Sequence, residues 1–415
     1  MKYQNLFENV KVAGQEMSKV SCEVVYDLLT ELADEIIRQI PFLIAENSRD
    51  LALMDPADPK YDRLLLNESR LEAISADMLK VASLPSPLGK VTEERFMPNG
   101  LFISKITVPF GVVGVVYEAR PNVTFDVFSL CIKSGNACIL KGGSDARYSN
   151  EASVSIIKKV LKSFSLSPST CELMPSDRES THEMLNARGY IDVIIPRGSK
   201  QLIDYVAENS RMPVIETGAG IVHTYLDETA DIMQATAVIS NAKTRRVSVC
   251  NALDCLIVNS QQLNNLSGIL MPLSEKNVVI YADEPSYAAL NGKYPGNLLE
   301  TATDESFGTE FLSYKMAVKT VNNLNEALEH IRMFSSKHSE AILSTDKASI
   351  DRFINEVDAA AVYANTSTAF TDGGQFGLGA EVGISTQKLH ARGPMGVAEL
   401  TSYKWIIKGN GQIRQ

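Results

Sequence analysis

The sequence predicts an α/β protein built from two doubly wound domains, and three observations carry that prediction. From about residue 111 onward, short apolar runs rich in β-branched residues alternate with segments of helical periodicity, the pattern of βαβ units on a parallel sheet. Most runs in the first series end in Gly, Pro, Ser or Thr, at the edge where open α/β sheets hold ligands. A second alternating series follows Cys250, and 415 residues exceed what one ordinary core encloses.

Residues 1–90 read as helical. Residues 20–40 place apolar side chains at three- and four-residue spacing, and Asn67 is a candidate N-cap for a helix over 68–81. Pro56 and Pro59 before that helix, and Pro85 and Pro87 after it, mark breaks. Residues 101–108 read as an edge strand. Residues 111–117, a continuous apolar run, read as a strand buried on both faces. A helix over 124–133 and a strand over 137–141 follow, and Gly142-Gly143-Ser144 leads to a helix over 150–163. A third strand, 191–195, ends in Pro196-Arg197-Gly198-Ser199 and leads into a helix over 200–208. A fourth, 213–216, ends in Thr217-Gly218-Ala219-Gly220. Beyond Cys250 the strand candidates are 254–258, 278–281, 316–321, 341–344 and 360–365, with 401–408 a further edge strand. The expected division is one domain of residues 1–94 and 112–218, a second of 219–395, and an arm of 95–111 and 396–415. Two strands outside both cores suit an arm that adds to a partner subunit; a local hairpin suits them equally.

Composition narrows the chemistry. A hydrophobic share of 45% and a charged share of 22% are ordinary for a soluble globular chain. A net charge of −10 argues against a nucleic-acid surface and requires any anionic substrate to meet locally gathered cations. The N-terminus lacks the apolar core of a signal peptide, and no run approaches the ~20 apolar residues of a membrane helix. The six cysteines, at 22, 131, 138, 171, 250 and 255, form neither a disulfide framework nor a CxxC pair. No histidine stands at short ligand spacing from one, so no metal site is expected. These features together lead us to expect a reduced, cytoplasmic protein.

One cysteine stands apart. Cys250 closes a polar segment carrying Arg245 and Arg246 and precedes an apolar run, and nearby cations favour the nucleophilic thiolate. Its plainer reading is a small buried hydrophobe. Lys141-Gly142-Gly143-Ser144 lies where a strand leads toward a helix, so its glycines admit a phosphate and Lys141 suits an added ribose phosphate. Glycine pairs in such turns also arise for geometry alone, and the GxGxxG fingerprint is absent after the first strand.

Four stretches carry a family resemblance: VPFGVVGVVYEARPNVT (108–124), SGNACILKGG (134–143), the segment around Cys250, and FGLGAEVGIS (376–385) continuing through LHARGPMG (389–396) to TSYKW (401–405). Together they resemble the gamma-glutamyl phosphate reductases of the aldehyde dehydrogenase superfamily, from about residue 10 to the C-terminus. The resemblance implies an aldehyde-dehydrogenase-like fold, with an NADP-binding domain, a catalytic domain and a small β oligomerisation arm. It implies that Cys250 attacks the acyl phosphate of L-glutamyl 5-phosphate and that the resulting thioester is reduced with NADPH to L-glutamate 5-semialdehyde, the second step of proline synthesis. Asn122 matches the oxyanion-hole asparagine, acting with the Cys250 N–H; its plainer reading is a turn residue after Pro121. Lys141, Gly142, Gly143 and Ser144 match the adenosine-ribose side of the NADP(H) site. Pro196, Arg197, Gly198 and Ser199 match the pyrophosphate loop, and Glu310 the residue holding the nicotinamide ribose. Glu216, 34 residues before Cys250, stands where hydrolytic aldehyde dehydrogenases keep a general base. A reductase must keep water from its thioester, so Glu216 is assigned to the nicotinamide side instead. Arg120, Arg246, Arg392 and His390 are candidate ligands for the phosphate and amino-acid head of the substrate. The implied partners are this small-molecule substrate, glutamate 5-kinase, and further copies of the chain in a dimer or tetramer. The sequence departs from the commoner family pattern at Arg245, Val247, Ser248 and Ser199. Two rivals stay open: a hydrolytic aldehyde dehydrogenase using Glu216, and a non-enzymatic descendant.

Overall fold

The computed structural model describes residues 2–56, 58 and 61–414 and divides the chain into two units. The first unit comprises Met1–Thr217, Phe376–Gly383 and Leu389–Gln415. Its centre is a four-stranded parallel sheet in the order Cys171–Leu173, Ala137–Gly142, Val112–Tyr117, Val193–Arg197. Every residue of the two middle strands is buried, as expected of a sheet covered on both faces. Side chains alternate along a strand, so the two faces make separate cores. Val113, Val115, Tyr117 and Leu140 meet the helices Cys22–Arg38, Glu68–Ser83, Asn122–Lys133 and Arg147–Ser163. Val112, Val116 and Ile139 meet Phe7 and Val10 of the helix Gln4–Met17, with Met184 and Val206. The Asn67 cap is in place, its side chain accepting the Arg70 N–H at 2.9 Å. Pro59 lies outside the described residues.

Four sequence readings need correction here. Residues 213–216 do not form a strand: only Val214 bridges the sheet, opposite Ile194, and Pro213 has no N–H to extend the ladder. The segment 101–108 is not an edge. Phe102–Pro109 is the middle strand of an antiparallel sheet, flanked by Val91–Phe96 and Thr401–Lys408. The helix read as starting at residue 124 begins at Asn122, directly after Pro121, and that read as starting at residue 150 begins at Arg147. The buried Asn136 ties the late segment to the first sheet: its Oδ1 accepts the Gly111 N–H, and its Nδ2 donates to the Leu400 carbonyl.

The second unit comprises Gly218–Gln375 and Ile384–Lys388. Its seven strands are all parallel, in the order Leu299–Thr301, Val279–Ala282, Lys315–Val321, Cys255–Asn259, His223–Leu226, Ser339–Leu343, Ala361–Ala364. The five strands expected after Cys250 form within two residues of their expected bounds. His223–Leu226 was missed because its run of four includes a buried histidine and threonine, and Leu299–Thr301 because it is only three residues long. Among the described residues, no helix is long and apolar enough to cross a membrane.

Candidate active site

In the second unit, the helix Ile232–Thr244 ends at Thr244 and the chain turns through Arg245–Ala252 into the buried strand Cys255–Asn259. Cys250 lies on this turn, half-buried, while Arg245 and Arg246 are exposed. The turn is held from below. Asn251 donates through Nδ2 to the Thr371 carbonyl at 2.9 Å and accepts the Thr368 hydroxyl on its own carbonyl. Gly220 passes so close that a methyl there would lie 1.7 Å from the Cys250 carbonyl oxygen. Glu310 fixes that glycine by accepting the Gly220 N–H at 2.9 Å, so in this unit Glu310 serves the loop beneath Cys250.

Sequence reasoning missed the buried pair behind this loop. Lys243 donates to the Leu253 carbonyl at 2.8 Å, with its ammonium 3.9 Å from Asp254. Asp254 accepts the N–H groups of Val222, two residues after Gly220, and of Phe311, next to Glu310. Burial pushes the Asp254 carboxyl up and the Lys243 ammonium down. The sheet also gathers residues that no short spacing relates. His223, Cys255 and His330 bring ligand-type atoms within 4.8 Å of one another, all buried. The Cys255 thiol lies 3.7 Å from His330 Nε2, and His223 Nδ1 lies 3.1 Å from Glu340. Burial raises the Cys255 thiol well above its ordinary range, which keeps it protonated, unlike a nucleophile.

In the first unit, the strand Val112–Tyr117 leads through Glu118–Pro121 into the helix Asn122–Lys133, and Ala119 in that turn takes φ = 38°. Asn122 is thereby a first-turn helix residue, and its Nδ2 donates to Asp126 Oδ2 at 2.8 Å. Desolvation pushes the Asp126 carboxyl up to about 7, against the pull of the Asn122 hydrogen bond and the Arg197 charge. Arg197, at the end of its strand, faces Glu381 at 4.0 Å, and its charge acts on Asp126 in the first turns of the Asn122 helix. Arg120 and Glu216 are each half-buried beside these elements; Glu216 precedes Thr217, whose hydroxyl donates to the Pro196 carbonyl. Ser199 caps the helix Lys200–Asn209 with its side chain. Its own N–H goes to Glu118, a residue the sequence did not single out, so a carboxylate already sits at that helix N-terminus. The Gly198 backbone packs on the same carboxylate, since a methyl there would lie 2.7 Å from it.

The Lys141–Ser144 stretch borders a cavity of about 680 Å³ lined by Gly142, Gly143, Asn150, Pro175, Ser176 and Asp177. Lys141 is 7% exposed and donates to the Gly142 and Ser176 carbonyls at 3.1 and 3.2 Å, which leaves one of its three N–H bonds for a ligand. Gly142 has no room for a side chain, with Asn150 Nδ2 2.1 Å from where a Cβ would lie. Ser144 opens a short turn into the helix Arg147–Ser163. His390 is exposed, donates through Nε2 to the Glu399 carbonyl at 2.8 Å, and meets the Phe110 ring edge-on. That is the geometry of an anchor for the returning chain. Arg392 lies two residues on, half-buried.

No family model matches the chain. Two curated relatives match nearly all of it: a gamma-glutamyl phosphate reductase of Bacteroides thetaiotaomicron, 58% identical over 408 residues (98% of each chain), and one of Pelodictyon phaeoclathratiforme, 60% identical over 405 residues (98% of this chain and 97% of that one). Among solved structures, the gamma-glutamyl phosphate reductase of Thermotoga maritima superposes with a TM-score of 0.95 at 36% identity, with each chain fully covered. An acetylating aldehyde dehydrogenase of Geobacillus thermoglucosidasius, at 16% identity and a TM-score of 0.71 over 100% of this chain and 98% of that one, shares the fold. The aldehyde-dehydrogenase-like architecture is thus shown, and the chain belongs to the gamma-glutamyl phosphate reductase family.

Proposed function

We propose that the protein reduces L-glutamyl 5-phosphate to L-glutamate 5-semialdehyde and phosphate, in proline biosynthesis, through a thioester on Cys250. The observation that carries the reading is the Cys250 turn: a half-buried thiol on a backbone fixed from below by Gly220, Glu310 and Asn251, in a stretch that resembles the nucleophile segment of the reductases. The Cys250 thiolate attacks the acyl carbon, and the phosphate leaves with the electrons of the broken C–O bond. Negative charge develops on the carbonyl oxygen during this attack and again when the thioester is reduced. Asn122 supplies an N–H donor for that oxygen, together with the Cys250 backbone N–H. NADPH would supply the hydride, and Lys141, Gly142, Gly143 and Ser144 would hold its adenosine-ribose phosphate side, with Gly142 and Gly143 lining the cavity. Arg197 lies beside the Asn122 helix start, so it joins Arg120, Arg246 and Arg392 as a candidate for the substrate's phosphate or carboxylate. Glu310 acts as a support of the Cys250 turn. We assign Glu216 to the nicotinamide side and His390 to the fold of the C-terminal segment. We further propose that the antiparallel sheet with Thr401–Lys408 at its edge adds to a second subunit, that glutamate 5-kinase supplies the acyl phosphate by direct association, and that the enzyme works in the cytoplasm.

The test runs the reaction in reverse: glutamate semialdehyde, phosphate and NADP or NAD, followed at the nicotinamide absorbance. The expected result is NADP reduction that requires phosphate and falls by on the order of 10³-fold or more in Cys250→Ala. Turnover undiminished without phosphate would favour a hydrolytic aldehyde dehydrogenase, and turnover surviving in Cys250→Ala would remove the thioester from the mechanism.

A further inference from the structure

We propose that Asp126 is a positioning residue for catalysis: its carboxylate holds the Asn122 carboxamide so that nitrogen, not oxygen, is presented to the developing oxyanion. The inference rests on the oxyanion role proposed for Asn122 and deepens it. An asparagine amide has two chemically opposite ends, and its terminal torsion is broad and nearly two-fold, so nothing in the side chain itself decides which end faces a substrate. A partner must decide it. Asp126 stands one helical turn after Asn122, and the Asn122 Nδ2 to Asp126 Oδ2 distance of 2.8 Å is that of a charge-assisted hydrogen bond. An ionised carboxylate only accepts. While Asp126 is charged, the amide nitrogen must stay on its side, with one N–H spent on the carboxylate and the other aimed elsewhere. A protonated Asp126 donates instead, can be satisfied by the amide oxygen, and removes the preference.

The surroundings make that switch accessible. The groups around the Asp126 carboxyl are Asn122 on its own helix, Asp77 on the helix Glu68–Ser83, Arg197 at the end of its strand, and Glu381 in the segment Phe376–Gly383. Desolvation and the two acids raise the carboxyl, while Asn122 and Arg197 lower it, and the balance falls near neutrality. The charged, orienting form therefore fills as pH rises through about 7, and the catalytic rate should rise with it.

The experiment measures kcat and KM for phosphate-dependent NADP reduction by wild type, Asp126→Asn, Asp126→Ala, Asn122→Ala and the double Ala variant, across about pH 6–9. Expected are a kcat lowered roughly ten-fold or more by Asp126→Ala with KM within about two-fold, loss in Asp126→Asn of a wild-type limb near pH 7, and no further loss when Asp126→Ala is added to Asn122→Ala. Iodoacetamide labelling of Cys250 at the wild-type rate would show the variants folded. A pair that merely staples the helix would leave kcat and the pH limb unchanged in Asp126→Asn, and either result overturns the proposal. Additive losses in the double variant overturn it as well. A wild type without phosphate-dependent turnover would instead overturn the underlying function, and this role with it.

Discussion

Gly220 leaves the backbone at Cys250 no slack. A methyl 1.7 Å from the Cys250 carbonyl cannot be absorbed by a side-chain rotation, because both clashing atoms belong to the main chain or lie next to it. Gly220→Ala is expected to displace the Cys250 turn and to cost at least about ten-fold in kcat with a lowered melting temperature, since a misplacement of about 1 Å can cost 10²-fold. Wild-type turnover and melting in this variant would contradict the geometry. At this scale the sequence was informative where chemistry is local. Cys250 is singled out by its polar, basic approach and the apolar run after it, and Asn122 by the family motif it sits in. Asp126, Glu118 and the Lys243–Asp254 pair were not, because what distinguishes each is a partner or an environment that the linear sequence does not display. Lys243 and Asp254 are paired only because the fold buries both side by side.

At the scale of elements, periodicity placed no helix of the second unit; it placed five helices of the first unit and most strands of the two parallel sheets but mistook some of their ends. Pro121 and Pro213 show why. The helix read from residue 124 begins directly after Pro121, where a missing N–H is harmless, while the strand read from Pro213 does not pair because that residue has no N–H to give. Short strands escaped because three or four residues carry too little pattern, as Cys171–Leu173 and Leu299–Thr301 do. The Ser199 cap is a further element-scale feature, standing where the commoner pattern has glycine. Its Oγ accepts the Leu202 N–H and its N–H is held by Glu118. Ser199→Ala is expected to lower stability by about 1 kcal/mol, read as a fall in melting temperature, whereas Ser199→Gly should cost only a few tenths. Equal effects from the two substitutions would argue that the side-chain cap contributes nothing.

For the whole molecule, two desolvated groups, one in each unit, pull acid stability in opposite directions. Desolvation, with the neighbouring His223 and Lys319 charges, holds His330 down to about 3, so the folded state keeps it neutral while the unfolded chain binds a proton below about 6.5. The unfolded state then carries more protons, and His330 makes stability fall as pH drops from about 6.5 toward about 3. Asp126 acts in the opposite sense. Its carboxyl is raised to about 7, so stability from that group falls as pH rises from about 4 to about 7. The two partly cancel in wild type. The informative measurement is the difference in urea-unfolding free energy between wild type and His330→Gln at several pH values. The variant should lose less stability on acidification, and parallel curves would show that His330 does not titrate on unfolding.

The hydrogen bond from Asn136 to Leu400 has a consequence in time as well as in space. Its two ends are separated by 264 residues, which a ribosome adding about 5–20 residues per second needs on the order of ten to fifty seconds to make. Throughout that interval the middle strand Phe102–Pro109 lacks its partner Thr401–Lys408, and one whole flank of its backbone is unpaired. The second unit, nearly continuous from Gly218 to Gln375, emerges complete inside the same interval. The nascent chain must therefore carry an open sheet flank while a later domain matures.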